Sequence, residues 1–79
     1  MALPPVASEP DLSRLGANLK QLREQRGLSH DNLAERADLS RRTIIDLEQG
    51  RSSGTVRSWH KIAQALGMRL TEVLAIIDN

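Results

Sequence analysis

The stretch Ser29-His30-Asp31-Asn32-Leu33-Ala34-Glu35-Arg36-Ala37-Asp38-Leu39-Ser40-Arg41-Arg42-Thr43-Ile44-Ile45-Asp46-Leu47-Glu48-Gln49 decides how this chain of 79 residues folds. Serine at 29 and again at 40 can cap a helix, because its side-chain oxygen accepts from a backbone N–H that the first turn leaves unpaired. Each serine precedes inward-facing residues at helical spacing: Leu33, Ala34 and Ala37 after the first, Ile44 and Leu47 after the second. Two short helices are expected, the first stopping near Asp38 and the second running from Arg41 to Gln49. Ala34 falls where they cross, and only a small side chain lets the two backbones approach there. On the second helix Arg41, Arg42, Ile45, Asp46 and Gln49 share the face opposite Ile44 and Leu47.

Two capped helices joined by a tight turn form a helix-turn-helix unit. Upstream, Leu12, Leu15, Leu19 and Leu22 lie on an arc of roughly 80°, which predicts a helix from about Asp11 or Ser13 to Arg26 with one face toward the core. Gly27 ends it, and Leu28 can fold back in a Schellman-type close. Downstream, Thr55 caps a fourth helix whose inward residues are Val56, Trp59, Ile62, Ala63 and Leu66, stopped by Gly67. A last helix starts near Thr71 and holds Leu70, Val73, Leu74, Ile76 and Ile77. Its apolar arc of about 160° exceeds the roughly 100° that a core-facing helix needs. The excess, at Leu70, Val73, Leu74 and Ile77, is expected to cover a second subunit. Residues 1–10 hold all three prolines and no periodicity, and read as a flexible tail ahead of a domain over 11–79. No β-branched run alternates with polar residues, so the domain is expected to be all-α, compact and five-helical.

Composition narrows the function. With no cysteine and only His30 and His60, neither a disulfide framework nor a cysteine or histidine metal site is expected, and no cofactor. No nucleophile with a base and an orienting group at workable spacing exists, which argues against an enzyme. No stretch approaches the roughly 18 apolar residues of a membrane span, and the first residues lack the pattern of a signal peptide, so a cytoplasmic location is expected. The net charge of +1 conceals an asymmetry. Between Arg14 and Arg69 all 11 Lys and Arg face six acidic residues, leaving +5, while both ends are acidic. A basic middle suits a polyanionic partner.

Gly27-Leu28-Ser29-His30-Asp31-Asn32-Leu33-Ala34-Glu35-Arg36-Ala37, Leu39-Ser40-Arg41-Arg42-Thr43-Ile44, Leu47-Glu48-Gln49-Gly50-Arg51 and Ile62-Ala63-Gln64-Ala65-Leu66-Gly67, in that order, resemble the phage-repressor family, Cro/C1-type or XRE. The resemblance covers about residues 14–77. It implies a five-helix lambda-repressor-like domain that binds double-stranded DNA, usually as a homodimer on a palindromic operator, with no small-molecule cofactor.

By position in the family motif, Arg41, Arg42, Ile45 and Asp46 fall where base-reading residues sit. Their chemistry fits: an arginine fork matches the two major-groove acceptors of guanine, an apolar side chain can meet a thymine methyl, and a carboxylate can accept from a cytosine amine. The competing reading is a solvated helix face with Arg42 and Asp46 paired at i, i+4. Phosphate contacts are expected at Ser29, His30, Ser40, Thr43, Gln49, Arg51 and Arg57, near helix N-termini and basic side chains. His30 stands where the family usually has glutamine, and could equally be an ordinary surface histidine.

Arg23 and Glu48 resemble a family ion pair linking the first helix to the recognition helix, or are two exposed charges. Two departures stand out. Asp38 occupies a turn position that is usually glycine and must bear a left-handed conformation, and Gly54 and Trp59 replace a proline and an aliphatic residue. Trp59 is read as core with its indole N–H on an acceptor at the rim, against an aromatic interface anchor. The alternative function is a protein-interaction module, antitoxin-like or an adaptor, acting through the apolar C-terminal segment.

Overall fold

A computed structural model of the chain describes residues 2–3 and 9–78. Among the described residues five α-helices follow one another: α1 Leu12–Gln25, α2 His30–Ala37, α3 Arg41–Glu48, α4 Val56–Leu66 and α5 Leu70–Leu74, the last continuing into a 3-10 turn, Ala75–Asp78. Helices as short as α2 and α3 are marginal alone and take their stability from packing. Here α1 packs on α3, and α2 packs on both α3 and α4. Leu15, Leu19, Leu33, Ile44, Leu47, Ile62 and Val73 form the centre of the core with Trp59.

The ends of the helices follow the side-chain chemistry. Asp11, Ser29, Ser40 and Thr55 each accept the backbone N–H three residues on, at Arg14, Asn32, Thr43 and Ser58. At the other end, α1 closes as Gly27 donates to the Glu24 carbonyl at 3.0 Å and Leu28 to that of Arg23 at 3.1 Å, the Schellman pattern expected there. Asp38 carries φ 54° and ψ 48°, the left-handed conformation the turn demands of it. Trp59 is buried and its Nε1 donates to the Ser53 carbonyl at 2.8 Å, so it is a core residue with its polar edge satisfied.

Three expectations need correction. Val56 is 74% exposed, because it is the first residue of α4 and points away from the stripe formed by Trp59, Ile62 and Leu66. Val73 is fully buried, so it belongs to the core and has no surface for a second subunit. The last helix starts at Leu70, within the expected bounds and held by the Arg69 N–H on Glu72 Oε1 at 2.9 Å, but it ends at Leu74, so that Ile76 and Ile77 lie in the 3-10 turn. Residues 1 and 4–8 of the expected tail lie outside the described residues.

Gly16, in the middle of α1, is the contact that sets the distance to the helix-turn-helix unit. A Cβ there would overlap the backbone carbonyls of Leu47 and Glu48 at the end of α3. Glycine costs about 1 kcal/mol in a helix interior, and in return α1 lies directly against the α3 backbone. Among the described residues no helix is long and apolar enough to cross a membrane.

Candidate nucleic-acid interface

The outer face of α3 carries the polar side chains that the core does not use. Arg41 and Arg42 sit in its first turn with side chains 62% and 79% exposed. Ile45 is half-buried between them and the body of the protein. Each arginine is steered by a carboxylate: Arg41 Nε lies 3.3 Å from Asp31 Oδ1 on α2, and Arg42 Nε lies 3.2 Å from both oxygens of Asp46. Arg51 joins the second pair, its Nε and Nη2 reaching Asp46 Oδ1 at 3.1 and 2.7 Å. Chiefly through the Arg51 hydrogen bond, and then through Arg42, the Asp46 carboxyl is held below the usual carboxylate range. Arg41, Arg42, Ile45 and Arg51 line an open hollow of about 590 Å³.

On the other side of Ile45 a second hollow of about 170 Å³ is lined by Lys20, His30, Glu48 and Gln49 as well as Ile45. Its floor is the Glu48 carboxylate, 4% exposed, which accepts from Arg23 Nε at 2.7 Å and Nη2 at 3.2 Å and meets His30 Nε2 at 3.1 Å. The Glu48 contact raises the Arg23 pKa above its ordinary value, so this arginine is a permanent cation. Arg23 Nη1 also donates to the Leu28 carbonyl at 2.8 Å, which ties the end of α1 to the start of α2. The pair is thus a buried clamp between α1 and α3. An ionised carboxylate can only accept, so its partner nitrogen, Nε2 of His30, carries a proton.

The residues expected at phosphates are not equally placed. Ser29 turns both its donors into its own cap, the hydroxyl to Asn32 Oδ1 at 2.7 Å and the N–H to the same atom at 3.3 Å. Ser40 and Thr43 share one hydrogen bond of 2.8 Å between their hydroxyls, which leaves one hydroxyl proton for an outside acceptor. Gln49 and Arg57 are exposed. Lys20, on α1, lines the same hollow as His30 and Gln49 because the close α1 to α3 contact brings it there. The link from Asp31 to Arg41 crosses the turn between helices and has no signature in local spacing.

The match to known proteins agrees with this geometry. A family described as a helix-turn-helix domain matches residues 14–76. An uncharacterized HTH-type transcriptional regulator of Methanothermobacter thermautotrophicus is 42% identical over 61 residues, 77% of this chain and 88% of the relative. The immunity repressor protein of Bacillus phage phi105 is 32% identical over 60 residues, 76% of this chain and 42% of the repressor. The crystal structure of the restriction-modification controller protein C.AhdI from Aeromonas hydrophila superposes with a TM-score of 0.78 at 32% identity, covering 80% of this chain and 96% of that one. The chain belongs to the helix-turn-helix domain family, as a DNA-binding, Cro/C1-type (XRE) transcriptional regulator with the lambda-repressor-like fold.

Proposed function

We propose that residues 11–79 are a sequence-specific DNA-binding domain that acts in the cytoplasm as a homodimer on a palindromic operator, with α3 in the major groove. The observation that carries this reading is the exposure of Arg41 and Arg42 in the first turn of α3, 62% and 79%, each aimed by a carboxylate. A recognition helix presents polar side chains near its N-terminus to base edges, and an arginine fork fits guanine O6 and N7. Arg41 and Arg42 read bases, with Ile45 beside them for a thymine methyl. His30, Ser40, Thr43, Gln49 and Arg57 hold the phosphates on either side.

For the homodimer, Leu70, Leu74 and Ile77 are half-buried and line an open apolar hollow of about 320 Å³ with Thr71, Ala75 and Asp78. Leu74 and Ile77 also border a groove that holds Val56, Leu12 and Trp59. These side chains gain by covering a second copy, with each apolar Å² removed from water contributing about 25 cal/mol. In sedimentation with and without DNA, a dimer that binds a duplex with two half-sites about one helical turn apart supports this reading. A monomer that holds an unrelated protein and no duplex would establish the interaction-module alternative.

A further inference from the structure

Resting on that reading of α3, we infer that Arg51 reads a base and that Asp46 is its positioning residue, which departs from the expectation of a phosphate contact at Arg51 and a base contact at Asp46. The backbone places Arg51 first. Gly50 has φ 71°, in the left-handed region, and this turns the chain so that the Arg51 N–H donates to the Asp46 carbonyl at 2.9 Å. The Arg51 Cα is thereby held against the last turn of α3. The side chain is fixed from the same residue, since Nε and Nη2 both reach Asp46 Oδ1.

That contact occupies the lateral edge of the guanidinium. The edge formed by Nη1 and the second proton of Nη2 stays open, and it has the two parallel donors that guanine O6 and N7 accept. Arg51 is 53% exposed and borders the hollow it shares with Arg41, Arg42 and Ile45, so the open edge belongs to the reading face of α3.

Charge favours base reading over phosphate binding. A carboxylate beside an arginine cancels much of its attraction for a phosphate and adds a repulsion of its own. A base reader gains instead, because its plane must be fixed to choose between bases. Asp46 serves two arginines at once and leaves the three side chains with a net charge of +1. Three of its four hydrogen bonds fall on Oδ1 and the fourth, from Arg42, on Oδ2, so most of its accepting capacity is spent on positioning the two arginines. Asp46 lies one turn, about 6 Å, beyond Arg42 along the helix. Arg42 comes to Asp46 from the first turn of α3 and Arg51 from beyond its last residue, and the proposal gives the two forks different base pairs.

The test compares the intact chain with Arg51→Lys, Arg51→Ala and Asp46→Asn, each checked for an unchanged melting temperature, by selection from randomised duplex DNA and by salt titration on the selected site. Arg51→Lys keeps the charge and loses the fork; the expected result is about a tenfold loss of preference at one base pair in each half-site with the salt slope unchanged. Asp46→Asn weakens the same position and leaves those read by Arg41 intact. Equal loss of affinity on every sequence in Arg51→Ala, with the salt slope lowered by about one, would make Arg51 a phosphate contact and overturn the proposal. Full retention of base preference in Arg51→Lys would also overturn it. A parent chain that selects no sequence overturns the DNA-reading assignment itself, which is a separate outcome.

Discussion

The Arg23 guanidinium and the Glu48 carboxylate meet edge to edge, at 2.7 and 3.2 Å, with side chains 8% and 4% exposed. This places a charged clamp inside the contact between α1 and α3. Removing one partner leaves an uncompensated buried charge, which costs about 3–5 kcal/mol. Glu48→Ala is expected to lower stability by that order in urea unfolding, and to do so before it alters which bases are chosen. A loss under about 1 kcal/mol would mean that the pair behaves as an exposed one.

Gly16 gives a second test with a decisive sign. In an unconstrained helix interior, Gly→Ala stabilises by about 1 kcal/mol. Here the new methyl overlaps the carbonyls of Leu47 and Glu48, which are backbone and cannot rotate aside. Gly16→Ala is expected to destabilise by about 1–3 kcal/mol through overpacking. A higher melting temperature for this variant would show that α1 stands further from α3.

The pH response of the reading face follows from Asp46. Its carboxyl is depressed by Arg51 first and Arg42 next, so the contribution is complete above the ordinary carboxylate range and is lost as pH falls through the lowered value. Acid should free both arginines. Carboxyl titration by NMR is expected to place Asp46 below an ordinary aspartate in the parent chain and nearer to it in Arg51→Ala. An ordinary titration in the parent would contradict the triad geometry.

The second-copy surface can be tested without harming the fold. Val56 is 74% exposed and begins α4, where a carboxylate also suits the helix dipole. Val56→Asp is expected to shift sedimentation from dimer to monomer at tens of micromolar with little change in melting temperature. An unchanged dimer would move the interface away from the groove between Val56, Leu74 and Ile77.

Much of this architecture was legible because its signals are local. Ser29, Ser40 and Thr55 announce helix starts through capping chemistry, and the leucine spacing of α1 announces its inner face. The left-handed turn at Asp38 is legible only through the family resemblance, which implies a glycine at that position. The misreadings arose where periodicity met tertiary context. Val56 fits the α4 stripe by spacing but stands at its first position, turned outward, and Val73 looks like surplus apolar surface until α5 is seen packed against α4 and α1. Gly16 was not singled out because a glycine inside a helix signals nothing until its neighbour is known. Within the site, Arg42 with Asp46 was legible as an i, i+4 pair. Arg51 was not, because its approach depends on the reversal at Gly50, and the Arg41 to Asp31 link spans two helices.

Guanine methylation interference on the selected duplex tests the central claim most directly, because a methyl on N7 blocks the major-groove edge that an arginine fork must reach. Interference is expected at guanines in both half-sites, with the signal at one of them lost in Arg42→Ala. Interference confined to adenine N3 in the minor groove, or a footprint indifferent to both marks, would show that the exposed face of α3 does not read DNA.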